Sequence, residues 1–245
     1  MKHIISFFSV FYKIYYFLFF VISLAVLFPF FYYFLSSHKR FPKAFGLMKF
    51  YGKAIVFCTG VKIKVEGLDN IPKQGSYIIC PNHSSFLDIF CIYSIFPNYF
   101  VFTGKKEIEK WPLFHIFYTS GMNILVDRHS KSGAIAALKR MSQELRNGNP
   151  LVIFPEGTIS KNAPKLAPFK SGAFALAIQN KIPILPVTFK NNWQLLQRSG
   201  IWSGSAHPGT SEVVIHPIVS CNEFSKEDSL KLQEIIEQII SKPLS

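Results

Sequence analysis

Residues 14–35 are 22 consecutive positions without a formal charge, nearly all apolar. At a 1.5 Å rise, about 20 such residues cross the hydrocarbon core of a bilayer. The run therefore predicts a lipid-contacting helix. Pro29 inside it predicts a kink or a reversal. Two geometries fit, a membrane-spanning helix and a helix lying in one leaflet. Phe41, Phe45, Met48, Gly52 and Ile55 then recur at helical spacing on one face, with Lys49 and Lys53 on an adjoining face. That is the pattern of a helix lying on a membrane surface. The apolar run is longer than a typical leader core and no A-x-A site follows, so it reads as an anchor.

From residue 61 the pattern changes. Val61, Ile63 and Val65 alternate with Lys62, Lys64 and Glu66, which predicts an edge or half-exposed strand. Short apolar runs at 77–80, 99–103, 123–126, 151–154 and 184–189 predict buried strands, and 213–216 a late one. A helix is predicted over 132–147, with Ile135, Leu138, Met141 and Leu145 on one face and Gly148 as its stop. Lying between the runs at 123–126 and 151–154, it makes a βαβ unit with those strands as a parallel pair. Ser225 and Asp228 have the spacing of a capping box, opening a C-terminal helix with Leu230, Ile235, Ile236 and Ile239. The fold class expected is α/β, a mixed, largely parallel sheet with flanking helices behind an N-terminal membrane-associating helical segment. The expected domains are 1–58 for that segment and 59–245 for the α/β unit.

The chain has 245 residues, 49% hydrophobic and 17% charged, which excludes disorder. Its net charge of +13 raises a nucleic-acid reading. Position argues otherwise. Nine basic residues, Lys2, Lys13, Lys39, Arg40, Lys43, Lys49, Lys53, Lys62 and Lys64, precede the first acidic one, Glu66. The first 36 residues also hold 15 of the 39 aromatics. Cations bordering a greasy segment suit anionic lipid headgroups. The bilayer is thus the expected partner and nucleic acid is not. Lys39, Arg40 and Lys43 just after the run favour a cytoplasmic C-terminal part if it spans, hence a membrane location at the cytoplasmic face of the inner membrane. Cys58, Cys80, Cys91 and Cys221 form no CxxC pair and read as buried thiols in a reducing compartment. The seven histidines show no ligand spacing, so no metal site is expected.

Four segments carry candidate chemistry. Asn82-His83-Ser84-Ser85-Phe86-Leu87-Asp88 follows a predicted strand. His83 can take a proton near neutral pH, and Asp88 can orient it if the segment enters its helix through a turn. The bland alternative is a helix-capping turn in which His83 only packs. Phe154-Pro155-Glu156-Gly157-Thr158 ends a strand in a Gly-containing turn, suited to an anion or polyol or simply a β-turn. Gly121 to Arg128 puts an arginine at a strand end, a partner for phosphate or half of a surface pair with Asp127. Residues 181–187 carry Pro183 and Pro186, which fit an edge strand or a stiff apolar wall, with core packing preferred.

Together and in this order the four segments resemble the glycerolipid acyltransferase family, specifically the 1-acylglycerol-3-phosphate acyltransferases. The resemblance covers about residues 60–220. Asn82, His83 and Asp88 match its NHxxxxD block, residues 154–158 its FPEGT block, Gly121, Asp127 and Arg128 its Gly…Asp-Arg block, and residues 169–173 its FKxGA stretch. The resemblance implies a membrane-bound enzyme moving a fatty acyl chain from a thioester to the sn-2 hydroxyl of 1-acylglycerol 3-phosphate, giving phosphatidic acid. His83 is then the general base and Asp88 its orienter. Asn82, Lys105, Arg128, Glu156, Gly157 and Thr158 are the implied substrate-binding residues. Acyl-CoA or acyl carrier protein is the implied co-substrate and a lysolipid the acceptor, without a cofactor. No acyl-enzyme is implied, so Ser84 and Ser85 read as turn residues. One departure stands out: the family's FPEGTRS has Arg where this chain has Ile159. Either Arg128 with Lys105, Lys161, Lys165 or Lys170 supplies the cation, or the acceptor is another lysolipid such as a lyso-aminolipid. A non-catalytic lipid-binding protein is a further alternative, against which the intact His83 and Asp88 speak.

Overall fold

A computed structural model of the chain describes residues 7–244. Lys2, one of the N-terminal cations, lies outside the described residues. The chain opens with two helices, α1 (Phe7–Leu35) and α2 (Phe41–Cys58). An alternating succession follows: β1 (Val61–Glu66), β2 (Ile78–Pro81), α3 (Leu87–Ile95), β3 (Val101–Lys105), α4 (Ile116–Thr119), β4 (Ile124–Val126), α5 (Lys131–Arg146) and β5 (Leu151–Val152). It ends with α6 (Gly172–Asn180), β6 (Ile184–Phe189), α7 (Asn192–Leu195), β7 (Gly209–Ile215) and α8 (Ser229–Ser241). The capping box of Ser225 and Asp228 is formed, and it opens a short 3-10 turn ahead of α8.

The seven strands form one sheet in the order β1-β7-β6-β2-β5-β3-β4. From β6 to β4 all neighbours run parallel; β7 is antiparallel to β6, and β1 is parallel to β7. The mixed, largely parallel sheet is thus as expected. The expected β4–β5 pair is not. Those strands run the same way, but β3 lies between them, pairing Val101 with Leu151 and Thr103 with Ile124. Hydrophobic periodicity announces a crossover helix and leaves open how many strands it steps over. β1 is an edge strand with alternating burial, as its pattern predicts. β6 is interior and wholly buried, so its prolines build an apolar wall and no edge. Pro186 has no N–H to offer there, yet its carbonyl accepts His216 N at 3.0 Å.

Alternate strand residues face opposite layers. Ile78, Cys80, Val101, Leu151 and Ile184 pack with Met141, Leu145, Phe174, Leu232 and Ile236 of α5, α6 and α8. Ile79, Phe102, Val152, Leu185 and Val187 pack on the other side with Phe31, Tyr51, Ile55, Leu87 and Ile92 of α1, α2 and α3. The N-terminal helices therefore share a core with the sheet. Three expectations change with this. The Phe45 and Met48 face of α2, expected on lipid, is buried against protein, with the Phe45 and Tyr93 rings 5.8 Å apart. A Cβ on Gly52 would meet Tyr93 Cβ at 3.0 Å, so glycine permits the close approach of α2 to α3. Lys13, expected at headgroups, is 8% exposed and its ammonium donates to Ser199 Oγ at 2.8 Å and to the carbonyls of Gly200, Ser203 and Gly204. Buried along an apolar helix, the ammonium needs acceptors, and that loop supplies them. Cys58, expected buried, is exposed at the end of α2, while the other three thiols are buried.

α1 continues through Pro29 without ending. It lies along the domain: Tyr12 donates to Thr59 O at 2.7 Å, Tyr51 donates to Phe20 O at 2.8 Å, and the Phe31 and Phe117 rings meet edge-on at 4.8 Å. Its outer side exposes Phe8, Phe11, Phe17, Leu18, Ile22, Val26, Phe30, Tyr32 and Tyr33.

Candidate active site

The carboxyl ends of β2, β3, β4, β5 and β6 bring the motif residues to one side of the sheet. Such ends expose side chains held by a rigid frame. β2 ends at Pro81, and residues 82–86 turn into α3, which begins at Leu87. Asp88 therefore sits in the first turn of a helix, where backbone N–H groups point outward. Its Oδ2 accepts Ser84 N at 2.8 Å, Ser85 N at 2.9 Å and His83 Nδ1 at 2.9 Å. Its Oδ1 accepts Asn192 Nδ2 at 2.8 Å. Asp88 is fully buried and His83 largely so. An ionised carboxylate, which only accepts, meets all four donors. The Nδ1 hydrogen is thus committed to Asp88, leaving Nε2 free of partners among the described residues. The imidazole also stacks on Phe154, with ring centroids 3.9 Å apart and planes inclined at 21°. A ring with its orientation fixed and one nitrogen free can take a proton from a bound hydroxyl.

The β5 turn is fastened to this unit. Glu156 is 3% exposed; its Oε1 accepts His83 N and its Oε2 accepts Ala167 N, both at 2.7 Å. Burial pushes its carboxyl up to about 7, while the two backbone N–H bonds pull the other way. His83 O in turn accepts Ser160 N at 2.8 Å. Gly157 has φ +68°, and a Cβ there would strike the guanidinium of Arg128, which donates to Gly157 O at 2.8 Å. Lys105, at the end of β3, has its ammonium pushed down by burial and by the charges of Arg128, Arg198 and Lys170. Asp127 bonds Lys106 at 2.8 Å and accepts His129 N, which hold its carboxyl below the usual range.

His83, Asp88, Lys105, Arg128, Gly157 and Thr158 thus converge, whereas Glu156, expected to bind substrate, is buried with both carboxylate oxygens on backbone N–H groups and serves to hold the His83 backbone. Asn82 belongs to the frame: it is 2% exposed, donates to Phe189 O at 3.1 Å and accepts Phe189 N at 2.7 Å, tying β2 to β6. The Ser85 hydroxyl donates to Leu196 O at 2.7 Å and accepts Leu87 N, as suits a turn residue. Lys161, Lys165 and Lys170 are exposed around the site. Two residues escape sequence reading. Asn192 and Arg198 belong to no motif and follow β6, more than a hundred residues after Asp88. Arg198 Nη1 donates to Thr158 Oγ1 at 3.0 Å and to Ile159 O at 2.8 Å. Ile159, the residue that departs from the FPEGTRS pattern, meets Arg198 only through its backbone carbonyl.

Comparison with known proteins puts this geometry in context. A family model described as Acyltransferase matches residues 62–190. The 1-acyl-sn-glycerol-3-phosphate acyltransferase of Saccharomyces cerevisiae is 39% identical over 182 residues, 74% of this chain and 58% of that protein. A protein of the same name from Cocos nucifera is 36% identical over 56% of this chain and 44% of its own length. The chain thus spans about half the length of these curated relatives. The Borreliella burgdorferi protein of that name is 30% identical over 81% of this chain and 78% of its own length. The crystal structure of the 1-acyl-sn-glycerophosphate acyltransferase PlsC from Thermotoga maritima shares the fold, with a TM-score of 0.77 at 24% identity over 96% of this chain and 94% of that one.

Proposed function

This chain belongs to the acyltransferase family, and from that premise we propose that it is a 1-acylglycerol-3-phosphate O-acyltransferase of a membrane. It moves a fatty acyl chain from a thioester to the sn-2 hydroxyl of the acceptor, giving phosphatidic acid. The observation that carries this reading is the His83–Asp88 pair, with its free nitrogen beside a turn bordered by cations. The names of the relatives support the acceptor, and so does the guanidinium of Arg128, an exposed residue lying on Gly157, which suits an anionic headgroup better than an amine.

In this mechanism His83 Nε2 takes the proton of the lipid hydroxyl as its oxygen attacks the thioester carbonyl. The new C–O bond forms, the C–S bond breaks, and the sulfur leaves with the proton returned from the imidazolium. Asp88 stabilises that imidazolium through Nδ1. General-base assistance of this type contributes about 10²- to 10⁴-fold. Acyl-CoA or acyl carrier protein is the donor. The outer face of α1 supports a place in one leaflet: the opposite face is committed to the domain from Tyr12 to Phe31, which leaves no free length to cross a bilayer. The domain then rests at the cytoplasmic face, where thioester donors are at hand.

The test is turnover of labelled acyl thioester with 1-acylglycerol 3-phosphate, offered beside other lysolipids. His83→Ala is expected to remove nearly all turnover while vesicle binding is unchanged. Turnover retained in that variant sinks the assignment, and preference for an amine-bearing lysolipid moves the acceptor to that class.

A further inference from the structure

The turn at residues 157–159 is gripped from two sides. Arg128, after β4, donates through Nη1 to Gly157 O at 2.8 Å. Arg198, after α7, donates through Nη1 to Ile159 O at 2.8 Å and to Thr158 Oγ1 at 3.0 Å. Both residues are exposed, with the Arg128 guanidinium partly desolvated, and among the described residues neither guanidinium has another hydrogen-bond partner. Each has five N–H donors in a planar fork, so most remain available to a ligand. The charges of Arg128, Arg198 and Lys170 all reach Lys105, with Glu107 as the one carboxylate that opposes them there. Ile159 itself is 5% exposed and offers only its carbonyl. The net result is a cationic mouth over a buried turn, and Ser160 at the end of that turn binds the His83 carbonyl at 2.8 Å.

We propose that Arg198 is a headgroup-binding residue: with Arg128 it forms a two-armed clamp for the phosphomonoester of the acceptor, in place of a cation at position 159. The assignment builds on the acyltransfer reading above and names a specificity determinant within it. A phosphomonoester presents three oxygens to the free donors of two forks, and charge-assisted bonds of that kind are the strong ones. The loop bearing Arg198 is itself held in place, because Lys13 of α1 donates to Ser199, Gly200, Ser203 and Gly204. The helix that lies in the lipid surface and the cation that reads the lipid headgroup are therefore mechanically joined.

The experiment uses the full chain in detergent. Binding of 1-acylglycerol 3-phosphate is measured beside monoacylglycerol of the same chain length, which lacks only the phosphate. Arg198→Ala is expected to weaken the phosphate-bearing lipid tenfold or more and to change monoacylglycerol binding less than twofold. Arg198→Lys keeps a charge, and Arg198→Gln keeps a donor for Ile159 O. Lys is expected to retain more of the preference than Gln, and Gln to resemble Ala. A Gln variant with wild-type preference overturns the proposal, because Arg198 then only ties the turn; so does Arg198→Ala with its preference intact. In turnover, Arg198→Ala is expected to raise the acceptor KM at least tenfold and leave the donor KM unchanged, and the reverse split also overturns it. Arg198-dependent phosphate preference in a chain without turnover supports the clamp and removes the acyltransfer reading, so the two failures are separable.

Discussion

One distant side chain completes the hydrogen-bond shell of Asp88. Asn192 Nδ2 is the only donor to its Oδ1 among the described residues. Loss of a hydrogen bond to a charged group costs roughly 1.5–3 kcal/mol. Asn192→Ala is therefore expected to lower kcat about ten- to hundredfold with both KM values held, as steady-state kinetics will show; a change confined to KM contradicts the role. Glu156 makes a prediction in pH. Its carboxyl lies near 7 in the folded chain, against 4.5 for the free group, with burial as the first cause. A carboxyl raised by folding stabilises the fold below its unfolded value, and that contribution disappears as pH rises through the folded one. The loss is of the order of 3 kcal/mol. The denaturant stability of the wild type relative to Glu156→Gln should thus fall between pH 4.5 and about 7 and level off above; a difference independent of pH would count against burial as the cause. His83 and Asp88 were legible because five positions separate them in one motif. Asn192 was not, since nothing local marks an asparagine as the partner of a carboxylate 104 residues away.

The turn after β5 shows how one element carries several duties. Its Glu156 holds the backbone of His83, and its Gly157 lets Arg128 lie directly on the chain. Gly157→Ala would put a methyl into that guanidinium at a φ of +68°, where L side chains are strained by about 1 kcal/mol. The flexible arginine is the part that yields. The variant is expected to fold, to raise the acceptor KM about tenfold, and to add little to Arg128→Ala in the double variant, because both remove the same contact. Full additivity would mean that Gly157 acts independently. At this level the strands and the long helices followed from period and length. The neighbours of β4 and β5 did not, because a crossover helix of given length fits more than one strand order. Nor did the partner of α2: an apolar face at helical spacing is equally suited to lipid and to α3.

In the molecule as a whole, α1 packs one face into the core and exposes a row of large apolar side chains on the other. Deleting residues 1–40 looks from sequence like removal of an anchor. The packing of Phe20 and Phe31 on Tyr51, Phe90 and Phe117 makes it removal of part of a core. The truncated chain is expected to aggregate, as dynamic light scattering would report; a monodisperse soluble product would show that the contacts are dispensable. The cleaner test of membrane binding changes only the outer face. Phe11, Leu18, Ile22 and Val26 are 50–65% exposed. Each loses roughly 1.5–3 kcal/mol of apolar transfer on conversion to Ser if it is buried in lipid. The fourfold variant should bind vesicles at least a hundredfold more weakly with Tm within a few degrees of wild type, and undiminished binding would relocate the lipid contact.

The sequence by itself determined the class of fold, the apolar N-terminal helix and the motif set around His83, Arg128 and Glu156. Those properties are written in short-range patterns: period, length, turn residues and spacing within one segment. The strand order, the burial of α2, the capture of Lys13 and the arrival of Asn192 and Arg198 at the site were decided only by the tertiary structure. Each depends on which surfaces meet, and a chain records its apolar faces and its charges without recording their partners. The cation absent at position 159 illustrates the difference. Its loss is visible in one motif, while its replacement comes from a loop that only the packing of β6 and α1 brings to the same turn.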